Sequence, residues 1–222
     1  MRVLTPELLD ELAADDPRAI RSRRDLVLIN IIMRQSAVMA QALLQCPPPR
    51  SIADLGGGDG RFVLSVARRL AKHWPGVRVL IVDRQDIVTR ETRADFETLG
   101  WQCETRPGDV FDVLPQADII TANLFLHHFD DAALSRLLAR IAQQTNAFVA
   151  CEPRRNTFAL LAAHLVGVLG CNDVTRHDAV ASVKAGFAGQ ELSRLWPAQR
   201  RWQMGEIGTF PFSHVFRVRR DV

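Results

Sequence analysis

Asp54-Leu55-Gly56-Gly57-Gly58-Asp59-Gly60 is the stretch on which the fold turns. It follows a short apolar run at 51–55 and precedes a helical stripe of Phe62, Val66 and Leu70, with Val63 and Ala67 beside it. A strand must therefore bend sharply into a helix here. Lacking a Cβ, Gly56, Gly58 and Gly60 let the backbone make that bend and approach a ligand closely, which is how such a turn makes a nucleotide pocket. Counted from Gly56, the dinucleotide fingerprint G-x-G-x-x-G/A needs a small residue at position 61, where the bulky Arg61 stands. The spacing is instead G-x-G-x-G preceded by Asp54. The stretch also lacks the lysine and serine or threonine that end a phosphate-binding P-loop, which argues against nucleotide hydrolysis.

Downstream, short apolar runs alternate with amphipathic helices, the pattern of βαβ units around a parallel sheet. Strands are expected at 51–55, 77–82, 117–122 and 147–151, with a weaker one at 101–105. A second helical stripe carries Leu134, Leu137, Leu138 and Ile141. The chain ends in an alternating pattern expected to be a hairpin, 200–207 and 214–218 about a turn at 208–211. The fold class read from this is α/β and Rossmann-like: a mostly parallel seven-stranded sheet with a C-terminal antiparallel hairpin and N-terminal helices. Dehydrogenases lack that hairpin, so a nicotinamide-dependent enzyme is the weaker alternative.

Two carboxylates follow the glycine turn at useful spacings. Asp83 ends the apolar run 77–82 and sits where a strand-tip carboxylate accepts hydrogen bonds from ribose hydroxyls; it also precedes an expected helix and could cap it. Asp109, in Gly108-Asp109-Val110-Phe111, could accept an adenine amino group while Val110 packs on the ring, or could be a loop carboxylate in water.

The 222 residues are 47% apolar and 24% charged, enough for one globular core. No apolar run reaches the ~18 residues of a membrane span, and the N-terminus is not built as a secretory signal. A cytoplasmic protein with no membrane span is expected. Cys46, Cys103, Cys151 and Cys171 lie too far apart for a zinc pattern, so no metal is expected. The net charge of +3 comes from arginine, the only lysines being Lys72 and Lys184. Pairs such as Arg23-Arg24, Arg68-Arg69, Arg200-Arg201 and Arg219-Arg220 are scattered without interleaved aromatics, so they read as solvated faces and no nucleic-acid partner is expected.

Residues 1–46 read as helices, with a second helix after Asp16-Pro17 that is apolar through Ile20, Leu28, Ile29, Ile31, Ile32 and Met33 and so expected to be largely buried. Pro47-Pro48-Pro49 separates this cap or dimerisation arm, through which a homodimer is conceivable, from the domain at 50–222. Within that domain 153–196 is expected to form a lid. Its stretch 157–170 is apolar on nearly all sides except for His164, and a helix is expected near 187–196.

Residues 50–152 resemble the core of class I S-adenosylmethionine-dependent methyltransferases, with 54–60 resembling that family's first motif. The stretches 107–115 and 117–131 resemble the small-molecule O-methyltransferases, and Glu152 falls where those enzymes often have an acidic residue. More narrowly, the N-terminal helices and residues 175–187 are similar to methyltransferases found beside bacterial type III polyketide synthases. The resemblance implies S-adenosyl-L-methionine as cofactor, with Asp54, Gly56, Gly58 and Gly60 at its methionine end, Asp83 at the ribose, and Asp109 and Val110 at the adenine. Asn123, at the end of the fourth run, joins them as a cofactor-binding residue. Asn123-Leu124-Phe125 stands in place of the Asn/Asp-Pro-Pro-Tyr stretch of enzymes that methylate exocyclic amines of bases.

His127 falls where the phenol O-methyltransferases have a general base. Here the stretch is Leu126-His127-His128-Phe129, and leucine-histidine-histidine also occurs in relatives that methylate carbon. His127 and His128 are the candidate catalytic residues, each with the alternative of a hydrogen-bonded structural histidine. The expected activity is O-methylation of a small, phenolic or lipophilic metabolite, C-methylation and a non-catalytic adenosylmethionine-binding subunit being the alternatives.

Overall fold

The computed structural model describes residues 1–197 and 202–221. The expected hairpin start at Arg200 and the Arg200-Arg201 pair fall outside the described residues. Three helices come first: α1 (Leu8–Glu11), α2 (Pro17–Ile32) and α3 (Gln35–Leu43). The alternating part runs β1 (Ser51–Leu55), α4 (Arg61–Leu70), β2 (Arg78–Asp83), α5 (Arg90–Thr98), β3 (Gln102–Pro107), α6 (Val110–Val113), β4 (Ile119–Asn123), α7 (Asp131–Gln144) and β5 (Ala147–Pro153). Then come α8 (Thr157–His164), α9 (Asp173–Ala185), α10 (Glu191–Leu195), β6 (Trp202–Thr209) and β7 (Ser213–Arg220).

The strands form one sheet in the order β3-β2-β1-β4-β5-β7-β6. β1 pairs parallel with β2 and β4, β3 joins β2 and β5 joins β4 in parallel, and β7 lies antiparallel between β5 and β6. The fold class expected from the sequence is the one observed. Because strand order reverses between β1 and β4, a crevice opens outside their carboxyl ends, the place where open α/β sheets bind ligands.

Residue chemistry explains the layers. Every residue of β5 is buried, as a central strand covered on both faces requires. β3 exposes Gln102, Glu104, Arg106 and Pro107, polar groups and a proline that protect an open edge and also made the strand faint in the sequence. One side of the sheet packs Leu43, Leu70, Phe96 and Trp101; the other packs Leu137, Ile141, Phe148 and Phe216. Each of these side chains stabilises the fold by roughly 1.5–3 kcal/mol on burial.

One N-terminal expectation needs correcting, the burial of α2. The helical run breaks at Met33–Arg34, where Arg34 takes φ 54 and α2 meets α3 at 61°. α3 then packs on α4, β5 and β7. α2, expected to be largely buried, buries Ala19, Ser22 and Asp25 but leaves Ile20, Leu28, Ile31 and Ile32 between 39% and 67% exposed. Its buried face is polar because it is held by hydrogen bonds: Asp25 accepts from Asn172 N and, with Ser22, meets the Thr175 hydroxyl. No single helix among the described residues is long and apolar enough to cross a membrane. α9 is the hub of an upper layer, contacting α1, α2, α8 and the short 3-10 turn Leu126–His128 after β4.

Candidate functional site

The glycine turn lies at the carboxyl end of β1, as its sequence demanded. Gly56, Gly58 and Gly60 have φ of 67, 54 and 77, values that favour glycine strongly. At Gly56 a side chain would also collide with the Phe125 ring, while at Gly58 the space beyond the backbone is open. Asp54 lies under the turn, 1% exposed, and accepts a hydrogen bond from the Thr121 hydroxyl at 2.6 Å. Burial raises its pKa to about 7, against the lowering effect of Thr121, and nearby Asp83 adds to the rise. Asp83 reaches back from the tip of β2: one carboxylate oxygen accepts from Gly58 N and the other from Gln85 N, both at 2.9 Å. The structure thus brings the glycine turn and the first strand-tip carboxylate together.

Asp109 caps α6 by accepting from Phe111 N at 2.9 Å and pairs with Arg84 at 2.7 Å. Those two contacts, the backbone one first, hold its carboxyl below the usual range. Val110 beside it is buried. Arg84 had no signal in the sequence beyond its place after Asp83. Asn123 ends β4 with its side-chain oxygen buried and without a hydrogen-bond partner. Such an orphan acceptor costs stability unless a ligand satisfies it. The open space over Gly58, the Asp83 carboxylate and the Asn123 oxygen together fit a ligand that carries hydroxyl and ammonium donors.

After Asn123 the chain passes through Leu124, a non-glycine at φ 51, into the 3-10 turn. Backbone there is uncommon and strained for leucine. What holds it is Glu152, fully buried at the end of β5. Its carboxylate accepts from the amides of Phe125 at 3.1 Å, Leu126 at 2.9 Å and His127 at 3.4 Å, and from His127 Nδ1 at 2.8 Å. Phe125, Phe129 and Phe111 stack edge to face beside it, centroids 5.1 and 5.7 Å apart, as an apolar wall.

His127 is 2% exposed and both ring nitrogens are engaged, for its Nε2 lies 3.2 Å from Glu7. Burial alone would lower its pKa, but the hydrogen bonds and charges of Glu152 and Glu7 outweigh it and raise the value to about 9. Glu7 is held below the usual range because His127, His128 and Ser182 outweigh its own burial. His128 is partly exposed and lies 3.2 Å from Asp10. Ligating atoms of Glu7, His127 and His128 lie within 4.8 Å of one another, so this group could hold a cation, provided that His127 first gave up its proton. All four cysteines are free, and burial raises each thiol above its ordinary range, so none is a ready nucleophile.

Glu7 comes from the N-terminal segment, 120 residues away in the chain, and no motif announced it. That segment is a strap. The Arg2 guanidinium donates to the carbonyls of Ala185, His127 and Phe129, pairs with Asp131 and lies 4.3 Å over the Phe187 ring. Asp178 of α9 accepts from the amides of Leu8 and Leu9. Val3, Met1, Leu160 and Val183 help line an adjoining cavity of about 290 Å³. His164, expected alone on an apolar helix, bonds its own turn through the Leu160 carbonyl and is exposed.

The raised pKa values have a sign. His127 charged in its cage favours the fold below its ordinary 6.5, and the benefit is lost as pH rises through about 9; neutral Asp54 acts in the same sense as pH rises towards about 7. The thermal midpoint should therefore fall steadily between about pH 6 and about pH 9, and His127→Gln should flatten the upper part of that fall. An equal slope in the variant would show that His127 is not charged in the fold.

Comparison with known proteins agrees with this geometry. The model of the O-methyltransferase domain family matches residues 12–149. Mitomycin biosynthesis 6-O-methyltransferase of Streptomyces lavendulae is 29% identical over 135 residues, which are 60% of this chain and 37% of that protein. Acetylserotonin O-methyltransferase of Bos taurus is 30% identical over 111 residues, 50% of this chain and 31% of that one. For strychnine O-methyltransferase of Strychnos nux-vomica the figures are 31% over 88 residues, 40% and 22%. The chain thus matches between about a fifth and two fifths of the length of these relatives. Among solved structures, mitomycin 7-O-methyltransferase MmcR superposes with a TM-score of 0.61 at 20% identity, covering 96% of this chain and 60% of that one. Plantazolicin methyltransferase BamL, solved in complex with a triazolic desmethylPZN analog and SAH, gives 0.65 at 11% identity over 96% and 93%. With a Rossmann-like methyltransferase fold and a family match across more than half its length, the chain belongs to the O-methyltransferase domain family.

Proposed function

We propose that this chain is an S-adenosylmethionine-dependent O-methyltransferase acting on a small, phenolic or lipophilic acceptor, with His127 as the group that takes the acceptor's proton. The observation that carries the reading is the Glu152–His127 pair standing across the β1–β4 crevice from a glycine turn joined to Asp83. The cofactor supplies an activated methyl group on a sulfonium, and the protein's task is to align the acceptor and exclude water. Gly56, Gly58 and Gly60 take the methionine end, with Asn123 accepting from its ammonium. Asp83 exchanges the Gly58 amide for ribose hydroxyls, and Asp109 with Val110 takes the adenine.

Glu152 holds Nδ1 of His127 and so directs Nε2 towards the acceptor side, where Glu7 now stands. An acceptor hydroxyl that displaces Glu7 removes one of the two carboxylates that keep the imidazole charged. The pKa of His127 then falls towards neutrality, and the ring can take a phenolic proton as the methyl arrives. His128, paired with Asp10 at the rim, is the second candidate for that proton.

Titration of the purified chain with S-adenosylhomocysteine tests the cofactor half of the reading, and turnover of labelled S-adenosylmethionine with a panel of phenols tests the other. Asp83→Ala should weaken cofactor binding by roughly tenfold or more, the worth of hydrogen bonds to a charged group. Unchanged affinity in that variant would remove Asp83 from the ribose site.

A further inference from the structure

The helix α8 is inside out for a water-facing element. Its small residues Ala159 and Ala163 are buried against α9, while Phe158, Leu161 and Leu165, on one face, are 56%, 61% and 55% exposed. The 3-10 turn that follows, Val166–Leu169, extends the same surface with Val168 at 82% and Leu169 at 50%. Phe158 stacks on Phe212 at 5.3 Å, which brings the β6–β7 hairpin tip, with Phe210 80% exposed, to the edge of the patch. Scattered exposed apolar side chains are ordinary, but six large ones gathered on one lobe mark a docking surface.

Three arginines border the lobe, two of them beside carboxylates, Arg18 with Asp173 and Arg21 with Asp25. Arg21 also donates to the Gly170 carbonyl at 3.0 Å, just behind the apolar turn. The Arg176 side chain lies along Gly167, with Nε 3.0 Å from where a Cβ would stand. α2, which supplies two of these arginines and further exposed apolar residues, carries four arginines against one aspartate.

We propose that this lobe seats the protein on an anionic lipid surface, with Val168, Leu169 and Phe158 entering the acyl boundary and the arginines meeting phosphate headgroups. The proposal goes beyond methyl transfer and does not depend on it. The other side of α8, through Leu160, lines the cavity beside the N-terminal strap.

Co-sedimentation of the full chain with phosphatidylcholine vesicles, with and without phosphatidylglycerol, tests it. Binding should appear with phosphatidylglycerol and weaken roughly fivefold for each of Arg21→Gln and Arg176→Gln. Val168→Asp combined with Leu169→Asp should abolish it while leaving the thermal midpoint within a few degrees, since both residues are exposed. No partition onto anionic vesicles, or partition that the double aspartate variant leaves intact, would overturn the proposal. So would sedimentation showing a dimer that the double variant splits, because a second copy would then be the occupant.

Discussion

Replacing Glu152 with alanine is expected to destabilise the fold by about 3–5 kcal/mol, enough to unfold much of the population of an ordinary domain at 37 °C. The size follows from what the carboxylate holds. It is fully buried, yet it satisfies three consecutive backbone amides and the imidazolium of His127. Removing it leaves a buried positive charge and unpaired donors in a place that water cannot reach. Glu152→Gln retains an acceptor oxygen for some of the amides and should cost distinctly less, though it leaves the charge of His127 less well balanced. Urea denaturation of the two variants measures the difference. A Glu152→Ala protein within about 1 kcal/mol of the parent would show that the loop after β4 finds another support.

His127→Ala should lower turnover by roughly two orders of magnitude or more while leaving S-adenosylhomocysteine affinity unchanged. The imidazole bonds Glu152 and Glu7 and none of the groups proposed for the cofactor, so under the proposed role the loss belongs in the chemical step. The pH profile distinguishes this role from a structural one. In the free enzyme, with Glu7 in place, the imidazole is charged up to about pH 9, so kcat/KM should climb on the alkaline side. Glu7→Gln removes one of the two carboxylates that hold the proton and should move that climb to lower pH. A His127→Ala enzyme with near-normal turnover would take the residue out of the mechanism, and a Glu7→Gln profile unmoved from the parent's would take Glu7 out of its control.

Much of the architecture was legible because hydrophobic period and glycine placement are local properties. The stripe Phe62, Val66, Leu70 became α4, the stripe Leu134 to Ile141 became α7, and the run 51–55 became β1 at the expected residues. Reading failed where neighbours decide burial. The apolar residues of α2 suggested a core helix, but its side towards α9 is filled by a Ser22, Asp25, Thr175 and Asn172 network, which turned the isoleucines outward. The stretch 157–170 divides after His164 into a helix and a 3-10 turn and carries its bulk on the outside, because the side of α8 towards α9 is filled by the small Ala159 and Ala163.

The site divides along the same line. Sequence alone determined the glycine turn, the carboxylates at the ends of β2 and β3, and the histidine pair after β4, because each is set by one residue's place at the end of its own strand. Tertiary structure alone decided what surrounds them. Glu7 reaches His127 across 120 residues, Arg84 meets Asp109 across 25, and the Phe125 ring closes on Gly56. Such contacts depend on where separate elements come to rest in space, and through them on the charge that a buried imidazole carries, which no spacing along the chain encodes.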